Sequence, residues 1–334
     1  MNSFYNNKRV LVAGGTGTIG IPLVELLKDR CADITVVSMD SAAYAKKVLG
    51  KDIRFIPKDL TEFSSCLEVT KSHDVVFNLV GIKGSVGIGQ SKVASYFYPM
   101  ILFQTHLMEA AFRNHVEKYL FVSSICGYPQ MGTAKKESDM WNGMPMQNDR
   151  IPGLAKRIGE IQAETYLLEH GWDGVKAVRP SNVFGPFDDF NPKTAQVIPA
   201  LIARMCGEEN PVEVWGDGTS VRDFIYSEEC AYWMLQALVK APPSEPVNLG
   251  CGIPITIKDV AETIARNAPK PPGIKWDTTK PTGDPVRILD MEKARQWLNF
   301  EQKISFEEGI RKTVKWYLKN RELATDKGDR HYGK

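Results

Sequence analysis

The chain has 334 residues, 43% of them hydrophobic, with 42 Lys and Arg against 40 Asp and Glu for a formal charge of +2. That length suits about two domains of roughly 150 residues with a sizeable core. The near-even charge balance excludes a disordered or collagen-like chain and a strongly basic nucleic-acid-binding one. The longest apolar run, Tyr96 to Phe103, has eight residues and contains Pro99, far short of a membrane span. The N-terminus, MNSFYNNKRVLVAGG, has no apolar h-region, and six cysteines at 31, 66, 126, 206, 230 and 251 form no CxxC. These features predict a cytoplasmic protein with reduced thiols, no metal centre and no membrane partner.

In chain order, Val10–Val12, Ile34–Val37, Ile53–Ile56, Val75–Val80 and Tyr119–Val122 read as short apolar strands. Between them Ile21–Arg30, Ser64–Lys71 and Lys92–Asn114 carry apolar residues at helical spacing, with Leu23, Leu26 and Leu27 on one face. Such alternation predicts an α/β fold: a Rossmann-type, doubly wound parallel sheet with helices on both faces. After residue 178 prolines divide shorter elements, and Glu228–Val239 reads as a helix returning to the sheet. The expected division is a dinucleotide-binding domain over 1–178 with a returning segment at about 213–240. A smaller mixed α/β substrate domain takes 179–212 and 241–320, and the polar tail 321–334 reads as a frayed end.

Gly14-Gly15-Thr16-Gly17-Thr18-Ile19-Gly20 follows the first strand and opens the first helix. In that context a GxGxxG loop lets the backbone approach a pyrophosphate and turns a helix N-terminus toward it. There is no GK[ST], so a triphosphate P-loop is excluded. The cofactor contacts predicted are Gly14, Thr16, Gly17, Thr18, Ile19 and Gly20. Asp40, twenty residues beyond Gly20, suits the adenosine ribose of NAD and disfavours the 2′-phosphate of NADP, which stays the alternative. Asp59 and Leu60, after the third strand, read either as an adenine-edge contact or, for Asp59, as a turn cap.

Three further stretches are Val122-Ser123-Ser124-Ile125-Cys126-Gly127-Tyr128-Pro129, Arg179-Pro180-Ser181-Asn182-Val183-Phe184-Gly185-Pro186 and Gly216-Asp217-Gly218-Thr219-Ser220-Val221-Arg222-Asp223-Phe224. With the glycine loop they resemble the extended short-chain dehydrogenase/reductases, the NAD-dependent epimerase/dehydratase family that modifies nucleotide-diphosphate sugars. Val197-Ile198-Pro199, Val214-Trp215-Gly216 and Lys280-Pro281-Thr282-Gly283-Asp284-Pro285 resemble its GDP-L-fucose synthase-like branch. The resemblance runs from about residue 8 to residue 318 and implies a GDP-linked sugar as substrate and a homodimer, in which the apolar stretch Met100–Met108 either serves or is core.

Substrate contacts implied by the resemblance are Asn182, Gln196, Val197, Trp215, Arg222 and Lys280, with Arg222 neutralising a diphosphate or, in the structural alternative, pairing with Asp223 or Glu228. Trp215 either stacks near the base or packs as an edge-strand residue. The family's catalytic set is Ser/Thr, Tyr and Lys, with Tyr and Lys spaced YxxxK. Ser124 and Lys156 match, Lys156 also holding the nicotinamide ribose, but Pro152 stands at the tyrosine position. Where the family often carries an Asn, the chain has Met100. Cys126 matches the proton-exchanging cysteine of fucose synthases, while Gln196 replaces their histidine. The reading is an NAD-dependent oxidoreductase acting at a ring carbon, most simply C4, with Ser124, Cys126 and Lys156 as catalytic residues. The alternatives are a 4-keto-sugar epimerase/reductase and a non-catalytic dinucleotide-binding protein.

Overall fold

Alternating apolar strands and amphipathic helices build one sheet with a core on each face. The computed structural model describes residues 3–28, 30, 33–82, 93–191, 194–280 and 283–325. Cys31, Pro281, Thr282 and the tail from residue 326 lie outside the described residues, as does Lys92 at the start of a predicted helix.

The first half comprises β1 (Arg9–Ala13), α1 (Gly20–Lys28), β2 (Asp33–Ser38), α2 (Ala42–Leu49), β3 (Arg54–Pro57), α3 (Phe63–Thr70), β4 (Val75–Asn78), α4 (Val93–Arg113), β5 (Lys118–Val122), α5 (Arg150–His170) and β6 (Val175–Pro180). The five predicted strands are all present, and α2 is an addition. Its short sequence AAYAKKVL gains a start from Ser41, whose hydroxyl accepts from the Tyr44 N–H.

The second half comprises β7 (Asn182–Phe184), α6 (Val197–Met205), β8 (Val212–Trp215), β9 (Val221–Arg222), β10 (Phe224–Tyr226), α7 (Ser227–Lys240), β11 (Pro246–Leu249), β12 (Ile255–Thr256), α8 (Ile257–Asn267), β13 (Ile274–Asp277), β14 (Val286–Arg287), α9 (Glu292–Leu298), α10 (Phe306–Lys319) and α11 (Arg321–Thr325).

Seven strands form a parallel sheet in the order β11-β6-β5-β4-β1-β2-β3. Strand side chains alternate between its faces. Val10 and Val12 join α1, α2 and α7 in one core, whereas Leu11 and Ala13 join α3, α4 and α5 in the other. A third core lies in the second lobe, among α6, α8 and α10. The strand order reverses between β1 and β4, and a doubly wound sheet binds its ligand at such a switch point.

Two features of the sequence read differently in three dimensions. Val212–Trp215 pairs with β13 in the second lobe, while the segment that completes the large sheet is β11, reached through α7. The start of the tail is also no frayed end. Leu323 and Ala324 are buried, and Arg321 donates to the Cys206 carbonyl at 2.7 Å. The polar average of the tail hid these two apolar anchors.

Candidate active site

The glycine loop sits at the switch point. The Gly14 N–H donates to the Val37 carbonyl at 2.8 Å, and the Leu79 N–H donates to Ala13, which ties the loop to both neighbouring strands. Gly14 has φ +77°, and a Cβ there would lie 3.0 Å from the Leu79 backbone. A Cβ on Gly20 would lie 2.5 Å from the Gly14 carbonyl oxygen, so the first turn of α1 closes on the loop only with hydrogen at that position. These two glycines let the backbone turn tightly into α1, whose first residue is Gly20, and such a helix start carries the unpaired N–H groups and positive dipole end suited to a pyrophosphate.

Thr16, nearly fully buried, donates from its hydroxyl to the Asp40 carboxylate at 2.6 Å, and the Asp40 N–H donates to Ser38 Oγ. The loop and the end of β2 therefore form one acidic corner. Thr18 approaches the Phe187 carbonyl and Asp188, both at 3.3 Å, from the second lobe. Asp59 accepts from the backbone and hydroxyl of Thr61, the geometry of a turn cap, and the Leu60 side chain is buried in the sheet core.

A cleft of about 910 Å³ opens beyond the ends of β1, β4, β5 and β7. Ile19, Ser124, Cys126, Lys156, Asn182, Gln196 and Val197, drawn from the predicted cofactor, catalytic and substrate sets, all line it. Ser124 Oγ accepts from the Cys126 N–H at 3.1 Å and so caps the short turn Ile125–Gly127. Asn182 is locked by Nδ2 donating to the Asp223 carbonyl at 2.8 Å.

Lys156 projects from α5 under β5. Its Nζ donates to the Val122 carbonyl at 2.8 Å and lies 5.4 Å from the centre of the Phe121 ring. Burial disfavours the ammonium form and pushes this lysine down to about 8. Pro152, one turn earlier, faces the cleft from the first turn of α5. Tyr96 also lines the cleft, but its hydroxyl is given to the Ile82 carbonyl. Met100 is buried. The amide that reaches α5 comes one turn later, where Gln104 Nε2 donates to the Ala155 carbonyl.

Three predicted substrate residues stand away from the cleft lining. Trp215 is 59% exposed, with Lys280 Nζ 5.9 Å from its ring centre, so residues 65 apart in sequence form one surface pair. Arg222 donates from Nη1 to the carbonyls of Val221 (2.9 Å) and Asp284 (2.5 Å). Its strand partner is Arg287, which does line the cleft.

Arg287 and Asp149 escape sequence reasoning. Arg287 Nη2 donates to Cys126 Sγ at 3.1 Å, and Nη1 pairs with Asp149 at 2.7 Å. The first contact joins residues 161 positions apart, and no spacing rule links them. Burial raises the Cys126 thiol, with Asp149 acting in the same direction and Arg287 against it.

A parallel sheet with a glycine loop at its switch point, and a second lobe closing a cleft over it, defines a dinucleotide-dependent enzyme with a separate place for its substrate. The chain belongs to the NAD dependent epimerase/dehydratase family, whose pattern matches residues 10–250. It is 30% identical over 263 residues to GDP-L-fucose synthase of Escherichia coli (strain K12), covering 75% of this chain and 81% of that one. It is 27% identical over 320 residues to GDP-L-fucose synthase 1 of Arabidopsis thaliana, covering 93% and 94%. In fold it is similar to the epimerase Mth375 of Methanothermobacter thermautotrophicus, with a TM-score of 0.85, 23% identity and coverage of 97% and 96%. Among the described residues, no helix is long and apolar enough to cross a membrane.

Proposed function

We propose that this chain is an NAD(P)-dependent oxidoreductase of a GDP-linked sugar, working at a ring carbon, most simply C4. The observation that carries this reading is the single cleft that gathers Lys156, Ser124 and Cys126 with Asn182, Gln196 and Val197. Similarity to two fucose synthases supports the GDP-linked class.

In this reading Gly14–Gly20 hold the pyrophosphate, Asp40 takes the adenosine ribose hydroxyls, and Lys156 holds the nicotinamide ribose. NAD is favoured over NADP because the Asp40 carboxylate repels a 2′-phosphate. The dinucleotide supplies or accepts a hydride. The protein's own work is positioning and proton management. Asn182 and Val197 orient the sugar, Arg222 and Lys280 attract its diphosphate, and Trp215 offers a face to the base. Pro152 cannot move a proton, so that duty falls to the thiol of Cys126, with Lys156 beside it. The cofactor lobe is residues 1–178 completed by α7 and β11, and a homodimer pairs the outer faces of α4 and α5. Exposed Tyr98, Ile158 and Ile161 support that pairing.

Cys126 also favours a second reading, an epimerase/reductase, against which stands Gln196 in place of an imidazole. The test is a panel of GDP-linked and UDP-linked sugars and their 4-keto forms, followed by nicotinamide absorbance with product analysis by mass spectrometry and NMR. We expect cofactor turnover with GDP-linked sugars and retained configuration at C3 and C5. Inversion there selects the second reading. Binding of both ligands without hydride transfer would leave a non-catalytic module.

A further inference from the structure

We propose that Arg287 is a positioning residue for Cys126: anchored by Asp149, its guanidinium holds the sulfur in the cleft and compensates the charge left there when the thiol gives up its proton. The inference rests on the reading that Cys126 serves the sugar as acid or base. Arg287 Nη2 stands 3.1 Å from Sγ, while its other amino group is fixed 2.7 Å from Asp149, at the start of α5. An arginine only donates, so the contact occupies a lone pair of the sulfur and does not consume the S–H.

Cys126, Asp149 and Arg287 all line the large cleft, and both side chains of the ion pair are under 20% exposed. The charged and titratable groups acting on the thiol are Arg287 from β14, Asp149 at the start of α5, Lys156 within α5 and Ser124 from its own turn. Of these, only Arg287 is a permanent cation donating to the sulfur.

In the reducing direction S–H breaks as O–H forms on the sugar oxygen, and the electron pair stays on sulfur beside Arg287. A solvent proton later restores the thiol. The hydride comes from the reduced nicotinamide dinucleotide. A neutral Cys126 with a nearby cation can perform this at the place a tyrosine would otherwise serve.

The experiment is peptide-resolved mass spectrometry of iodoacetamide alkylation from about pH 7 to 11, on the full chain and on Arg287→Met, Arg287→Gln and Arg287→Lys. The modification is read at Cys126 separately, while Cys66, Cys206, Cys230 and Cys251 are buried and serve as a check on folding. Removing the cation should raise the alkylation midpoint by about one pH unit, which is about tenfold slower reaction at a fixed pH below it. Arg287→Lys should stay close to the parent, and NAD(H) affinity should be unchanged in all three variants. Equal midpoints throughout, a lysine variant as perturbed as the neutral ones, or a Cys126 that never reacts would each overturn the proposal. Arg287→Gln can still bond Asp149 and decides the matter if Arg287→Met fails to fold. Absence of sugar turnover with the midpoint shift intact would refute the sugar reading and leave the Arg287 assignment standing.

Discussion

Lys156→Met should make the protein more stable and worse at its task. Lys156 is 8% exposed and pushed down to about 8 from an ordinary 10.5, with burial as the leading cause. In the unfolded chain it keeps its ordinary value. Between the two values the unfolded state binds more protons, so this group favours unfolding at low pH, and stability recovers as pH rises from about 8 toward 10.5. At roughly 1.4 kcal/mol per pH unit the penalty at pH 7 is about 3 kcal/mol, and about 2 kcal/mol of it has gone by about pH 9.5. The methionine variant escapes the penalty but loses the bond to the Val122 carbonyl, worth about 1 kcal/mol. Urea unfolding of both proteins at both pH values gives the double difference directly. We expect Lys156→Met to be stabilised by about 2 kcal/mol at pH 7 and to lose that advantage in alkaline buffer. Calorimetry should show its NAD(H) affinity reduced about tenfold, as for loss of one hydrogen bond. Parallel pH dependences for the two proteins would refute the burial argument, because the group responsible would lie elsewhere.

Pro152→Tyr restores the family's acid/base one turn before Lys156. In a folded variant that binds both ligands, single-turnover hydride transfer should rise at least tenfold, general acid–base catalysis being worth about 10²–10⁴. Asp40→Ala should narrow the preference for NAD over NADP in paired calorimetric titrations, and an unchanged ratio would remove Asp40 from the ribose site. Arg222→Ala should weaken binding of a GDP-sugar by about 1.5–3 kcal/mol while leaving NAD(H) affinity nearly intact, and equal losses would show that its bonds to Val221 and Asp284 are its whole role.

Sequence alone reveals most of the first lobe because there each element is specified locally. β1 is a bare apolar run, Gly14–Gly20 can only be a turn into a helix, and α1 repeats leucine at helical spacing. The second lobe is less legible because its strands are two to four residues long and owe their pairing to distant partners, as β9 does to β12 and β14. The site divides in the same way. Lys156 and Ser124 are readable from motif spacing. The burial that lowers Lys156 depends on α5 packing against β5, and the approach of Arg287 to Cys126 depends on β14. The family's Asn position is instructive: Met100 occupies the aligned place, yet Gln104 sends its amide to α5, since one helical turn keeps a side chain on the same face.

The order in which the large sheet is completed bears on how the protein is made. β6, with all six residues buried, has one neighbour in β5 and the other in β11, which ends at Leu249. During synthesis the strands β1 to β6 emerge about seventy residues before their outermost partner, and until then β6 is an open edge of unpaired backbone that exposes Val175, Ala177 and Val178 alongside Lys176 and Arg179. The nascent chain must keep that edge from pairing with another copy while the β7–β10 segment and α7 are translated. A fragment ending at residue 178 carries the same edge permanently. It holds the whole glycine loop and would be expected to aggregate before it could bind anything.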